Sequence, residues 1–316
     1  MTSGGTEVPV TTNFLAAFTA AVRPMTAPTD VVLSRVEPLP TIAALSARAR
    51  ALRNASINSS REESLRADAT DYSFNSRYET VGGPPRAWCN WLVTDWLILG
   101  QYPHHQPDFA ADAKRHLRNV LNANVTCFAC VMKELPPQDD ESSWSMAASS
   151  APTTISDGGG ILRQLLELIR PPKQRRPPIG FVPYKDDADA IAREIGRDSP
   201  LTYLYCPLVD MEVPKGGLND GSPLLVLLDG ILKQFENGGT VYLHCRAGRG
   251  RAGLVGACTL ALLRPEMSAD AVLDAVQAGY DSRGAHGLPG GAGKSPQTAA
   301  QRAFVRRFVS AVQQVR

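Results

Sequence analysis

The stretch that decides the fold of this chain is Val241-Tyr-Leu-His-Cys-Arg-Ala-Gly-Arg-Gly-Arg-Ala-Gly253. An apolar run leads into it, five residues separate Cys245 from Arg251, and an apolar segment follows as far as Leu263. This pattern predicts a buried strand, a tight loop and the first turn of a helix. Backbone N–H groups at such a junction point toward a common centre and the helix dipole favours negative charge. The stretch therefore predicts a phosphate-binding loop.

Two side chains of this loop suit phosphoryl chemistry. The helix dipole and the neighbouring arginines stabilise a thiolate at Cys245, which makes it a candidate nucleophile. Arg251 can bind two phosphoryl oxygens through its planar guanidinium, whereas a lysine binds as a point charge. The alternative interpretation is a buried structural cysteine beside a surface arginine cluster.

The segment His244-Cys245-x-x-Gly248-x-x-Arg251 resembles the signature loop of the cysteine-dependent protein tyrosine and dual-specificity phosphatases. The resemblance implies that Cys245 attacks phosphorus and that Arg251, with the loop amides, stabilises the equatorial oxygens. It implies a supporting role for His244, which is expected to tune the thiolate rather than act as an acid. No metal or cofactor is implied. The phosphate-binding residues are then Arg246, Ala247, Gly248, Arg249, Gly250 and Arg251.

A candidate acid lies upstream, in Tyr203-Leu-Tyr-Cys-Pro-Leu-Val-Asp-Met-Glu-Val-Pro214. This segment resembles the mobile acid loop of the same family, in which an aspartate protonates the leaving oxygen; the matching residue is Asp210. Expulsion of an alkoxide or phenolate without a proton is slow, so the chemistry requires such a group. The alternatives are that Asp210 is a turn or cap residue and that Glu212, or no residue, is the acid.

A second segment of the family is matched by Ser295-Pro-Gln-Thr-Ala-Ala-Gln301. The resemblance implies that Gln297 and Gln301 position the water that hydrolyses the cysteinyl-phosphate. The two residues lie one turn apart on a helix face and so can point at one site. Ser295 before Pro296 is also a favourable helix start, so the alternative is a cap followed by solvent-facing glutamines.

The chain departs from the family pattern at Ala252, where a serine or threonine usually follows the arginine. That hydroxyl bonds the cysteine sulfur and helps it leave, so slow turnover is expected. Arg246 and Arg249 resemble the basic residues of the phosphatase-and-tensin type of lipid phosphatase. A phosphorylated protein is the first substrate expected, with a phosphoinositide as an alternative. A phosphate-binding pseudophosphatase or adaptor is a second alternative, which Ala252 favours.

Composition limits the remaining possibilities. The 316 residues, 43% of them hydrophobic, suffice for a sizeable core, and the net charge of +2 gives no signature of nucleic-acid binding. No apolar run reaches the roughly 18–20 residues that span a membrane. A reactive thiolate needs a reducing compartment, so a cytoplasmic location is expected. Cys127 and Cys130 lie in an apolar run without a second ligand pair, which favours core cysteines over a metal site.

Alternating strand and helix patterns predict an α/β fold, a mostly parallel central sheet flanked by helices, as in protein tyrosine phosphatases. Residues 1–85 are expected to be a partly disordered extension with helices near 40–53 and 60–70. Residues 86–316 form the predicted phosphatase domain, with a low-complexity insertion at about 136–178 and a short helix at 161–169. Further helices are predicted at 108–122, 186–196, 223–236, 252–263, 268–278 and 296–314, with strands at 97–103, 125–132, 202–206 and 240–245.

Overall fold

A five-stranded sheet runs through the centre of the computed structural model, which describes residues 38–56, 61–65, 72–74, 87–104, 110–135, 181–284 and 293–315. The strand order is β1-β2-β5-β3-β4, with β1 antiparallel to β2 and the other pairs parallel. The prediction of a mostly parallel sheet is confirmed. The strands are β1 Cys89–Val93, β2 Leu97–Gln101, β3 Val125–Cys130, β4 Thr202–Tyr205 and β5 Thr240–Cys245.

Helices cover both faces of this sheet. Helices α2 and α3 pack together and α2 contacts β3, while α4, α5 and α6 pack on strands from the opposite face. Helices α1 and α7 form an outer layer on α5. The bounds are α1 Ile42–Ser56, α2 Ala110–Asn122, α3 Lys185–Glu194, α4 Pro223–Glu236, α5 Arg251–Leu263, α6 Ala269–Asp281 and α7 Ala299–Gln314.

Burial explains the apolar runs on either side of the signature loop. Every residue of β5 is buried, as expected for a central parallel strand covered on both faces. Every residue of α5 is buried as well, which requires a helix that is apolar on all sides. Gly256 lets α5 approach the sheet, because a Cβ at this position would lie 2.8 Å from a methyl carbon of Leu99. The loop is thus held between two elements of the core.

A layer of aromatic and histidine side chains fills the space between the sheet and α2. The His116 Nε2 atom lies 2.8 Å from the Tyr242 hydroxyl, which donates to the Gln101 carbonyl at 2.8 Å. Gly100 makes room for this ring, since a Cβ there would lie 2.0 Å from the Tyr242 oxygen. The layer continues to His244, whose Nε2 lies 2.7 Å from the Tyr184 hydroxyl.

Acidification is expected to destabilise the fold through His116 and His244. Burial lowers the pKa of each imidazole from 6.5 to about 3, and a neighbouring cation or imidazole adds to the effect. The unfolded chain therefore binds more protons than the folded chain between these values, and the free energy of unfolding falls as pH falls from 6.5 toward 3. The loss at about pH 5 is on the order of 2 kcal/mol for each imidazole. Urea unfolding at neutral pH and at about pH 5 measures it.

His116→Gln is the matched variant for this experiment, because it removes one imidazole and keeps a side chain able to bond Tyr242. Carboxylates titrate over part of the same pH range. The difference in pH dependence between the variant and the wild type therefore isolates the contribution of His116 to the free energy of unfolding. We expect the variant to take up about one proton fewer on unfolding, which lowers the slope of its unfolding free energy against pH. An unchanged slope would contradict the assignment of His116 as a buried neutral imidazole.

Most predicted elements are present with shifted ends. The predicted helix at 40–53 is α1 Ile42–Ser56, whereas the described part of 60–70 holds only a 3₁₀ turn, Glu63–Leu65. The described residues from Leu39 onward cluster as one compact unit, in which α1 packs on α4, α5 and α7. The boundary after residue 85 stays a prediction. The insertion at 136–178, with its predicted helix at 161–169, lies outside the described residues.

Two features are absent from the described part of the chain. None of its helices is both long and apolar enough to cross a lipid bilayer. Within the same residues, no group of three histidine, cysteine, aspartate or glutamate side chains could hold a metal ion.

Candidate active site

The predicted phosphate loop, residues 246–251, joins β5 to α5. Strand β5 ends at Cys245, which is 3% exposed, and α5 begins at Arg251 with Gly250 as its N-cap. Gly248 has a φ of +63°, and a Cβ there would lie 2.4 Å from the Gly100 carbonyl oxygen. Only glycine fits this position without strain or collision. The loop therefore folds tightly against the end of β2, with Cys245 at its base.

Arg251 is the most buried charged residue of the site, at 1% exposure. Its Nη1 donates to the carboxylate of Glu134 and to the Leu208 carbonyl, and its Nη2 lies 3.2 Å from Asp210 Oδ1. Its Nε is buried and has no hydrogen-bond partner among the described residues. Burial alone would lower the pKa of the guanidinium, but Cys245 and the two carboxylates raise it above its usual value. Arg251 is therefore a permanent cation beside Cys245.

The predicted acid loop, residues 207–214, brings Asp210 to this cation. Asp210 is in a turn after β4, and its side chain is 42% exposed, so it can reach both Arg251 and a bound molecule. The next residue, Met211, has a φ of +66°, which is unusual for a side chain of this kind. Of the two carboxylates considered from the sequence, Asp210 pairs with Arg251, whereas Glu212 contacts the site through its backbone carbonyl.

Both predicted glutamines lie against the phosphate loop. A Cβ at Gly250 would lie 3.3 Å from Gln297 Oε1 and 3.5 Å from Gln301 Oε1. Gln301 is completely buried, so the alternative of two solvent-facing glutamines is wrong for this residue. Gln297 is partly exposed.

The predicted helix start at Ser295 is wrong. Helix α7 begins at Ala299, and its N-cap is Thr298, which forms a capping box with Gln301. This reciprocal pair satisfies two backbone N–H groups at once, which a serine before proline does not do here. The Ser295 hydroxyl instead donates to the Arg249 carbonyl at 2.8 Å and so fastens the segment to the phosphate loop.

His244 is enclosed in the core beneath Cys245. It is fully buried, its Nε2 is paired with the Tyr184 hydroxyl, and burial, aided by His116, lowers its pKa to about 3. An imidazole with this pKa is neutral at physiological pH and cannot supply a proton from a charged form. This enclosed position fits a supporting role for His244.

The remaining loop residues differ in exposure. Arg246 and Ala247 are exposed, whereas Arg249 is partly buried and donates from Nε to the Lys294 carbonyl at 3.1 Å. Ala252, where a hydroxyl was expected, is completely buried in the first turn of α5. The loop therefore has two guanidinium groups at its rim and one, Arg251, in its interior.

Sequence reasoning missed Arg283, which supports the phosphate loop from behind. It is 5% exposed and donates to Asn90 Oδ1 at 2.7 Å and to the Leu99 carbonyl at 2.8 Å. It also donates to the Ala247 carbonyl at 3.3 Å and the Gly248 carbonyl at 3.1 Å. Burial lowers the pKa of its guanidinium. No local pattern marks this arginine, which follows α6 without a recognisable motif.

Sequence reasoning also missed Glu134, the carboxylate partner of Arg251. A signal for it was present, because Glu134 follows β3 and the carboxyl ends of parallel strands meet at one edge of a sheet. Arg251 is buried, and a guanidinium in the core is costly unless it is paired and hydrogen-bonded. Glu134 therefore supplies Arg251 with a carboxylate in addition to that of Asp210.

No protein-family model matches the sequence, and the comparison with curated proteins gave no match. The chain is similar to solved structures of phosphatases. PTPMT1 in complex with PI(5)P has 15% identity and a TM-score of 0.41, covering 72% of this chain and 97% of that chain. Kinase associated phosphatase has 13% identity and a TM-score of 0.40, covering 68% and 86%. TpbA of P. aeruginosa has 13% identity and a TM-score of 0.39, covering 75% and 94%. These similarities concern the fold alone.

Proposed function

We propose that this protein is a phosphatase that hydrolyses phosphate monoesters through a cysteinyl-phosphate intermediate. The observation that carries the proposal is the buried guanidinium of Arg251 beside Cys245. Its Nε lacks an acceptor among the described residues, and its Nη2 is paired with the partly exposed Asp210. Buried N–H groups normally have acceptors, and two oxygens of a phosphoryl group would satisfy Nε and Nη2 together.

In the first step, the Cys245 thiolate attacks phosphorus opposite the leaving oxygen. The S–P bond forms, the P–O bond to the leaving group breaks, and Asp210 gives its proton to the departing oxygen. A bound phosphoryl group competes with the Asp210 carboxylate for Arg251 Nη2, which lies 3.2 Å from it in this structure. This step requires Asp210 in its protonated form.

In the second step, water attacks phosphorus and displaces the thiolate. The Asp210 carboxylate, now deprotonated, takes the proton of the water as the new P–O bond forms and the S–P bond breaks. Gln297 can hold this water, because its amide is next to Gly250 of the loop. The products are inorganic phosphate and the free thiolate.

The direct test is to trap the intermediate on the wild-type protein. An aryl phosphate is mixed rapidly with the protein at about pH 6. The reaction is quenched in acid, and phosphate is located by mass spectrometry. Phosphate on Cys245, with a burst of phenol before steady turnover, is expected. Turnover with no phosphate on Cys245 would overturn the proposal. Binding of vanadate without any turnover would instead favour the adaptor.

Phosphorylated protein is the first substrate class proposed, with phosphoinositides as a second candidate. The second is favoured by Arg246, which is exposed, and by Arg249, which is partly exposed at the rim of the loop. Additional cations near the site suit a substrate with more than one phosphate. Phosphate release from phosphotyrosine and phosphoserine peptides and from phosphoinositide vesicles, at equal concentration, discriminates these classes.

Ala252→Ser is expected to increase kcat by about tenfold, equivalent to about 1.4 kcal/mol. The buried site in the first turn of α5 places the new hydroxyl near the phosphate loop, where it can donate to the sulfur of Cys245 and help it leave. The gain should appear in the second step, so kcat rises while kcat/KM stays nearly constant. Burst and steady-state phases of phenol release measure the two steps.

Ala257→Ser is the control for this prediction. Ala257 is also completely buried in α5, about 1.4 turns further from the loop than Ala252. Its new hydroxyl cannot reach Cys245, so no gain in kcat is expected. Equal kcat values for Ala252→Ser and the wild type would show that loss of the hydroxyl does not limit turnover.

A further inference from the structure

The N-terminal end of α7 contacts the acid loop directly. Gln301 is completely buried and uses both ends of its amide: Oε1 accepts from the Thr298 backbone N–H at 3.1 Å, and Nε2 donates to the Glu212 carbonyl at 3.1 Å. Because the carbonyl and the amino group are both engaged, this side chain is not free to hold a water. These contacts therefore do not fit the role of positioning the attacking water, which the sequence resemblance implies for Gln301.

Thr298 contacts the preceding peptide of the same loop. Its hydroxyl donates to the Met211 carbonyl at 3.4 Å while it accepts from the Gln301 backbone N–H at 3.1 Å. Two consecutive carbonyls directly after Asp210 are thus bonded by one helix terminus. Met211 has a φ of +66°, a conformation that costs roughly 1–2 kcal/mol for a residue with a side chain and persists only when its surroundings hold it.

Gln297 is in a different position. Its side-chain amide makes no hydrogen bond to the described residues and is partly exposed beside Gly250. It has the freedom that Gln301 lacks. The two glutamines thus divide into one that is available to a water and one that is committed to the acid loop.

We infer that Gln301 is a positioning residue for the acid, and that with Thr298 it clamps the acid loop so that Asp210 faces the leaving oxygen. The inference rests on the proposed function. Asp210 is held from the other side by Arg251 at 3.2 Å, a contact that a phosphoryl group replaces on binding. When that contact is lost, the bonds from α7 are what keep Asp210 at the site. Gln301 therefore acts on the first step, through Asp210, and not on the attacking water.

Gln301→Glu is the variant that separates this role from a role in folding. Glutamate also forms a capping box with Thr298, so the start of α7 is retained. A carboxylate cannot donate to the Glu212 carbonyl, so the bond from residue 301 to the acid loop is lost while the bond from Thr298 to Met211 remains. Gln301→Met, which removes both bonds, is the second variant. Urea unfolding of both variants establishes that each is folded at the assay temperature.

The readout is how strongly kcat/KM depends on the leaving group across a series of aryl phosphates. With Asp210 in place, kcat/KM depends only weakly on the leaving group. Without a positioned acid, kcat/KM falls most for the substrates with the poorest leaving groups. We expect both Gln301 variants to lose about 10²-fold with phenyl phosphate and only a few-fold with an activated aryl phosphate, as Asp210→Ala should. Gln297→Ala is the matched control: it should slow hydrolysis of the trapped intermediate and leave the leaving-group dependence as in the wild type.

Three outcomes would overturn the inference. A leaving-group dependence like that of the wild type in both folded Gln301 variants would show that Gln301 does not position Asp210. If the Gln301 variants slow only the hydrolysis of the intermediate, as expected for Gln297→Ala, Gln301 holds the attacking water and does not position Asp210. A wild-type protein that forms no phosphate bond at Cys245 would overturn the proposed function, and the inference with it. The first two results leave the proposed function intact.

Discussion

Replacing Cys245 by serine is expected to lower phosphate release by at least about 10⁴-fold. The sulfur is at the base of the phosphate loop, next to the buried guanidinium of Arg251, and a cysteine sulfur is an intrinsically strong nucleophile. A serine hydroxyl is far less acidic and stays neutral there, so no nucleophile is available at physiological pH. The loop keeps its shape, because serine differs from cysteine by one atom. Initial rates with an aryl phosphate measure the loss.

Cys206→Ser is the matched control, since Cys206 is also buried but is outside the phosphate loop. Its Sγ donates to the Pro223 carbonyl at 3.6 Å, a bond that a serine hydroxyl can make in the same place. Activity within a few-fold of the wild type is expected. Vanadate binding by Cys245→Ser should remain measurable because Arg251 and the loop amides are intact. Turnover by Cys245→Ser at the wild-type rate would rule out the cysteinyl-phosphate mechanism.

Local patterns were sufficient for the elements that form the base of the site. The predicted strand at 240–245 and helix at 223–236 have the bounds that the structure shows. Both are delimited by strong signals, a serine and proline at the start of α4 and two glycines before β5. The start of α7 was missed by three residues, because a capping box between Thr298 and Gln301 competes with the Ser295-Pro296 signal and prevails.

The tertiary partners of the site were beyond local patterns. Residue 134 is 117 positions from Arg251, yet its carboxylate bonds the guanidinium directly. The division between Gln297 and Gln301 depends on where the acid loop lies relative to α7, which periodicity along one helix does not encode. Local signals fix which residues share a helix or a strand end. The contacts that orient them come from chain segments brought together only by the whole sheet.

Arg283 makes contacts of this kind with the phosphate loop, from a segment distant in the sequence. It is buried beneath the phosphate loop, and its acceptors are the Asn90 side chain and three backbone carbonyls. No carboxylate of the described residues pairs with it, so its charge is not neutralised by a nearby anion. Two of those carbonyls belong to Ala247 and Gly248 of the loop. By binding them from behind, Arg283 holds these two carbonyls on its own side of the loop, and we expect the loop N–H groups to be left free for the proposed phosphate site.

Arg283→Met is therefore expected to lower kcat/KM by about 10²–10³-fold, the range found when a preorganised donor of this kind is lost. Loss of the guanidinium leaves the Leu99, Ala247 and Gly248 carbonyls without their partner, at about 1–3 kcal/mol for each unsatisfied buried group, so the free energy of unfolding also falls. Arg283→Lys keeps the charge but cannot reach all four acceptors, so an intermediate loss of activity is expected.

A second measurement shows whether Arg283 affects the sulfur of Cys245 or only stabilises the fold. Iodoacetamide alkylates thiolates, so its rate of reaction with Cys245, identified by mass spectrometry, reports the thiolate fraction in the folded protein. If the charge of Arg283 favours the thiolate, Arg283→Met should slow alkylation between about pH 6 and 8 more than Arg283→Lys does. Reduced stability with alkylation and kcat/KM both unchanged would show that Arg283 supports the fold alone. A parallel loss of alkylation and turnover would make this arginine, which no sequence pattern marks, a part of the electrostatic environment that activates Cys245.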